Sequence, residues 1–219
     1  MHILVFGATG AIGSIFCDIA LEAEHSLTLF VRNQRKVPAR VADDKRVTII
    51  EGTLEDEEIL NNVSRCEADA FVSFAGPPVG NKGTPLTDGY RALIPKLISR
   101  DIKRLLVLGT PSFKGSSDIP AFKWRLGELT MKALGPMRGQ YWEMMAVGKY
   151  ITSLSVDSGV RWTLFRVGGL TNGKQSPVET TVLGSGKDSM WISRASVARW
   201  VLDEAVEEKW VREIPYICN

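Results

Sequence analysis

A short apolar run, Ile3–Phe6, breaks into Gly7-Ala8-Thr9-Gly10-Ala11-Ile12-Gly13. No other feature constrains the fold as much. Gly7 permits a tight turn, Gly10 lets the backbone approach a pyrophosphate, and Gly13 allows a helix to pack closely on a strand. The pattern needs a strand before it and a helix after it, and the sequence predicts both. A helix opening at Ala11 offers free N–H groups and the positive end of its dipole to phosphate. The candidate dinucleotide contacts here are Gly7, Thr9, Gly10, Ala11, Ile12 and Gly13. The alternative is a glycine turn kept for packing alone.

The rest of the chain continues the alternation. Apolar runs at Leu27–Val31, Val47–Glu51, Ala70–Phe74, Arg104–Leu108 and Arg161–Arg166 read as strands. Most are apolar throughout, as strands covered on both faces are. Segments of helical period lie at Ala11–Ala23, Asp56–Val63, Thr87–Ser99, Arg138–Asp157 and Ala195–Glu208, before a short apolar tail, Ile214–Ile217. Repeated βα units predict an α/β fold, a Rossmann-type doubly wound parallel sheet with helices on both faces, as one domain over residues 1–219. Two stretches, 111–136 and 168–187, read as loops at the carboxyl edge of the sheet, where such folds bind ligands.

The second strand bears on cofactor choice. An NAD site usually places Asp or Glu ~20 residues past the glycines to hold the ribose 2′-hydroxyl. This chain has Arg32-Asn33-Gln34-Arg35-Lys36 there, with no carboxylate. The planar fork of Arg32 suits a 2′-phosphate, and Arg35 or Lys36 adds to the field. NADP(H) is the expected cofactor. The other reading of these cations is a solvated loop.

Composition narrows the classes. A formal net charge of +2 over 219 residues argues for neither nucleic acid nor an anionic membrane as partner. No stretch approaches the ~20 apolar residues that span a bilayer, and Ile3–Phe6 is too short for a secretory signal. Cys17, Cys66 and Cys218, like His2 and His25, are scattered, so no disulfide framework or metal site is expected. The expectation is a cytoplasmic protein that takes a small-molecule substrate, as a monomer or a small homo-oligomer.

Three segments together carry a family likeness: Gly7–Gly13, Val31-Arg32-Asn33, and Ile192-Ser193-Arg194-Ala195-Ser196-Val197-Ala198. Over nearly its whole length the chain resembles the atypical short-chain dehydrogenases. Within them it is similar to NmrA-like proteins and to NADPH enzymes of the biliverdin-reductase-B or flavin-reductase type. The resemblance implies further contacts. Thr53 and Leu54 would pass the adenine, with Thr53 in place of the usual Asp, and Ala75 and Gly76 would line the adenine-side ribose. Thr110 and Ser112 would occupy the catalytic-serine segment, Lys149 would hold the nicotinamide ribose, and Gly168 and Gly169 would flank the nicotinamide.

The likeness is incomplete at the chemistry. A Tyr-x-x-x-Lys pair on one helix face serves the family's carbonyl reduction, the tyrosine exchanging the proton and the lysine lowering its pKa. Counting back from Lys149, the tyrosine position holds Met145. Tyr141 is one turn earlier on the same face and is either a displaced acid or a packing aromatic. Ser112 or Thr110 either orients a substrate oxygen or serves turn geometry.

Reduction of a flavin, quinone or tetrapyrrole can draw its proton from solvent, leaving the protein to position two rings. The expected function is NADPH-dependent hydride transfer to a small planar or unsaturated substrate. The alternatives are an NmrA-type regulator that binds NADP without turnover, and a non-redox isomerase, dehydratase or cyclase on the same scaffold.

Overall fold

The computed structural model describes residues 1–133 and 135–219. Strand β1 (His2–Phe6) enters Gly7 and emerges as helix α1 (Ala11–Glu22). Then follow β2 (Ser26–Val31), a short α2 (Ala39–Ala42), β3 (Val47–Glu51), α3 (Glu57–Val63), β4 (Ala70–Ser73), α4 (Pro85–Ser99) and β5 (Arg104–Gly109). The second half holds α5 (Phe122–Ala133), α6 (Gly135–Thr152), β6 (Arg161–Val167), β7 (Gly169–Thr171), β8 (Glu179–Thr181), β9 (Trp191–Ser193), α7 (Arg194–Glu207) and β10 (Tyr216–Cys218).

The main sheet has the order β3-β2-β1-β4-β5-β6-β10-β8, parallel except for the antiparallel edge strand β8. The direction of winding reverses between β1 and β4. That switch point, at the carboxyl ends of the strands, is where open α/β sheets bind ligands.

Side chains alternate across β1. Ile3 and Val5 join Phe16, Ala20, Val197 and Val201 beneath α1 and α7, while Leu4 and Phe6 join Leu60, Tyr90, Leu93 and Val147 beneath α3, α4 and α6. Both faces are therefore covered, which explains the unbroken apolar runs in the strands. An ion pair, Arg104–Glu204 at 2.8 Å, is buried between β5 and α7.

The expected α/β architecture holds, with differences in the second half. The stretch 111–136 is not only loop, because it contains the three-turn helix α5. The stretch 168–187 contributes β7 and β8, and the apolar tail is β10, hydrogen-bonded between β6 and β8. Helix α6 stops at Thr152 rather than Asp157. A 3-10 turn at Val156–Ser158 follows, capped by the Ser155 hydroxyl and closed by Gly159 at φ 69°. No helix among the described residues is long and apolar enough to cross a membrane.

Two buried carboxylates sew the second-half segments together. Asp118 accepts from both guanidinium nitrogens of Arg166 and from the backbone N–H groups of Gly115 and Leu183. Asp188 accepts from Trp124 Nε1 and from the N–H groups of Gly184 and Gly186, and Lys123 Nζ lies 3.0 Å away. Burial pushes the Asp188 carboxyl up, but the hydrogen bonds from Trp124, Gly184 and Lys123 outweigh it and hold the group at about 2. Helix α5 is thereby fixed over the carboxyl edge of β5 and β6.

Candidate active site

The site begins with backbone. Gly7 lies at φ 77°, a left-handed conformation that side chains disfavour, and a Cβ there would come within 3.0 Å of the Ala75 nitrogen. The turn after β1 therefore lies directly against the chain leaving β4. A Cβ on Gly13 would collide with the Gly7 carbonyl oxygen, so only glycine lets α1 approach this closely. Gly10 is the N-cap of α1 and supplies no side-chain cap. The first N–H groups of the helix, from Ala11 to Gly13, have no carbonyl within the helix to bond. This is the anion-binding arrangement expected for a pyrophosphate, and Thr9, Gly10 and Ala11 are exposed beside it.

At the end of β2, Arg32, Arg35 and Lys36 are exposed and form no ion pair among the described residues. Asn33 shapes the bend by accepting from the Arg35 N–H at 2.9 Å. Sequence reasoning missed Glu51 at the end of β3, whose carboxylate accepts from the Gln34 N–H at 2.9 Å and braces this loop. Thr53 is exposed and Leu54 half-buried, with Leu54 lying where a Cβ on Gly89 of α4 would fall.

Past the switch point, a cavity of about 330 Å³ opens over the ends of β4, β5 and β6. Its floor is Gly76, Thr110, Ser112, Val167 and Gly168; α5 contributes Trp124, Glu128 and Met131, and α6 contributes Gln140 and Met144. The volume lies in the range of small-ligand pockets, and the lining is mostly apolar with a few polar groups. The Thr110 hydroxyl is buried and has no hydrogen-bond partner among the described residues. A buried hydroxyl left alone costs about 1–3 kcal/mol, which a turn of the Thr110 side chain toward a ligand in the cavity would relieve. Gln140 donates its amide N–H to the Pro77 carbonyl at 3.0 Å, which leaves its amide oxygen as an acceptor.

Thr110, Ser112, Gly76 and Gly168 thus meet at one cavity. Tyr141 and Lys149 do not join them. Lys149 is exposed on α6, and its ammonium makes no ion pair among the described residues. Tyr141 is buried and gives its hydroxyl proton to Glu128 at 3.0 Å, with the Lys132 ammonium 5.0 Å from its ring centre. The cavity-facing i, i+4 pair on α6 is Gln140 and Met144, one residue earlier than the frame set by Tyr141, Met145 and Lys149. A step of one residue turns a side chain by about 100° around a helix, enough to carry Lys149 off the cavity. Gly169 has a packing reason of its own, because the Trp191 ring occupies the place of its missing Cβ.

Glu128 is the feature least visible from sequence. Hydrogen bonds from Lys114 at 2.7 Å and Lys132 at 2.6 Å, with a smaller one from Tyr141, hold its carboxyl down at about 2. It stays ionised near neutral pH and has no proton to give. Glu143, buried on the same helix as Gln140, accepts from the N–H groups of Leu86 and Thr87 and from Asn81 Nδ2. It caps α4 and anchors the loop after β4 that forms one cavity wall.

The model of a family described as NAD(P)H-binding matches residues 7–208, from the first glycine to just past the last helix. The chain belongs to this NAD(P)H-binding family. Among solved structures, this NAD(P)H-binding chain is similar to a short-chain dehydrogenase/reductase from Veillonella parvula in complex with NADP, with 20% identity, TM-score 0.74, and 100% of this chain and 94% of that one covered. A Lactobacillus casei protein shares 19% identity at TM-score 0.78, covering 100% and 99%. An anaerobilin reductase from Escherichia coli O157:H7 shares 15% identity at TM-score 0.73, covering 100% and 97%. At these identities the likeness shows the shared fold. No curated protein matches.

Proposed function

We propose that this NAD(P)H-binding protein is an NADPH-dependent reductase of a small, flat, uncharged organic acceptor such as a quinone, flavin or enone. The apolar cavity beside the cofactor cleft, with Thr110 in its wall and no partner for that hydroxyl among the described residues, carries the reading. The chain's groups fit the cofactor. The uncapped N-terminus of α1, reached through Gly7, Thr9, Gly10, Ala11, Ile12 and Gly13, would receive the pyrophosphate. Arg32 and Arg35, free of acidic partners among the described residues, favour the 2′-phosphate of NADPH over the bare ribose of NADH. Thr53, Leu54, Ala75 and Gly76 would border the adenosine half, and Gly168 and Gly169 the nicotinamide half.

A bound reduced nicotinamide would supply the hydride. The protein's own part is placement: Trp124, Met131 and Met144 would exclude water from a flat ligand, and the Thr110 hydroxyl, once turned toward it, would donate to its oxygen or nitrogen. No tyrosine or lysine lines the cavity among the described residues, and Glu128 is ionised. The proton that completes reduction is therefore assigned to solvent.

The test is loss of reduced-nicotinamide absorbance with a panel of quinones, flavins, enones and aldehydes, for the wild type and Thr110→Val. Turnover with flat acceptors, with kcat/KM reduced about tenfold in the variant for loss of one hydrogen bond of ~1.4 kcal/mol, supports the reading. NADPH binding with no turnover on any acceptor would end it and favour a regulatory or non-redox role.

A further inference from the structure

Helix α5 borders two cavities. The inner one is described above. On an adjoining face a larger hollow of about 760 Å³ is bounded by α5, the segment Lys114–Ala121 and Leu183. Trp124 and Glu128 form the partition between the two. We propose that this outer hollow is a second ligand site, and that it takes a small amphipathic organic anion, an acyl chain or aromatic ring system bearing one carboxylate or sulfonate.

Three observations support the class of ligand. The first is apolar surface left in solvent. Phe122, Leu126 and Leu129 recur at i, i+4 and i+7 on α5 and are 80%, 52% and 64% exposed, and Ile119 beside them is 53% exposed. A helix ordinarily turns such a stripe inward. Here α5 buries Trp124 instead, through its hydrogen bond to Asp188, and leaves the stripe facing out. The second is shape: the stripe borders a concavity whose volume lies within the range of small-molecule sites.

The third is charge. Lys114, Arg125 and Lys132 line the hollow, against Asp118 and Glu128. Asp118 is already neutralised by Arg166, a buried partner from β6. Glu128 offsets one of the two lysines, so the hollow keeps an excess of positive charge. Each ammonium has three donors and uses one on Glu128, so both can bond a ligand anion without releasing it. Arg125 has no ion pair among the described residues and can bind a carboxylate with two N–H groups. A neutral apolar ligand would leave these cations unused, and a cationic one would be repelled.

The experiment uses the full chain saturated with NADPH and titrated with 1-anilinonaphthalene-8-sulfonate, followed by displacement with dodecanoate or dodecanol. Expected is a saturable, one-to-one fluorescence rise, displaced by dodecanoate at least tenfold better than by dodecanol. Arg125→Glu and Leu126→Asp, both at exposed positions and checked for an unchanged Tm, should each weaken binding at least tenfold. No saturable binding, equal binding by both variants, or equal displacement by dodecanol would overturn the proposal. So would competition with NADPH, which would put the probe in the cofactor cleft. A dimer on gel filtration whose formation abolishes the signal would show that a second copy covers the hollow, and would overturn it too.

Discussion

Replacing Gly13 by alanine separates the two demands that the glycine turn meets. The added methyl would press into the Gly7 carbonyl oxygen and lie 2.8 Å from Ala8 Cα and from the Gly7 carbonyl carbon. All three are backbone atoms, and the Gly7 oxygen already accepts from the Gly10 N–H at 2.9 Å. No side chain can swing aside, so α1 must shift away from β1. Overpacking of this kind costs about 1–3 kcal/mol. For a chain of this size each kcal/mol lowers Tm by roughly 2–4 °C, so a fall of about 2–12 °C is expected in scanning calorimetry. The same shift moves the N–H groups of Ala11 and Ile12, and NADPH affinity should fall at least tenfold, or ~1.4 kcal/mol. Gly76→Ala is the control, because beyond its chain neighbours no atom of the described residues lies within 4 Å of its added Cβ. Its Tm should stay within about 2 °C of wild type, by the usual size of surface effects. A Gly13→Ala protein with wild-type Tm and wild-type NADPH affinity would refute the packing argument.

Two further substitutions test the cavity wall. Tyr141→Phe should keep turnover within a few-fold of wild type, because the hydroxyl serves Glu128 and not the cavity; a collapse of kcat would restore Tyr141 as the acid. Glu128 gives a pH signature in urea unfolding. Its carboxyl titrates lower in the folded protein, at about 2 against the ordinary 4.5 of a free glutamate, so its stabilising contribution is complete above the unfolded value and lost as pH falls from there toward 2. The stability gap between wild type and Glu128→Gln should therefore be constant near neutrality and shrink below about pH 4.5. A gap that widens on acidification would contradict the assignment.

The first half of the fold was legible because its signals are local and agree with one another. A glycine pattern, unbroken apolar strands and a helix start at Asp56, whose side chain accepts from the Ile59 N–H, all specify the same units. Helix α5 was hidden for a physical reason. Its apolar stripe faces solvent and its inward anchor is the single Trp124, tied to Asp188 sixty-four residues away. Helical periodicity reports a buried face only when the core sets it. The same remoteness hid Glu128, whose partners come from the loop after β5, from α5 itself and from α6. Strand β10 read as a tail because three residues between β6 and β8 carry too short a pattern to stand alone. On α6 the helix was legible but its facing was not: Gln140 and Met144 line the cavity, whereas the expected Tyr141 and Lys149 lie off it.

The most direct measurement is a titration of the protein with NADPH and with NADH, following the fluorescence of the reduced nicotinamide, in wild type and Arg32→Ala. One-to-one binding of NADPH at least tenfold tighter than NADH, with that preference reduced in the variant, is the predicted result. Absence of binding by either nucleotide, or equal affinities untouched by Arg32→Ala, would contradict the assignment of the glycine turn and the β2 cations to an NADPH site.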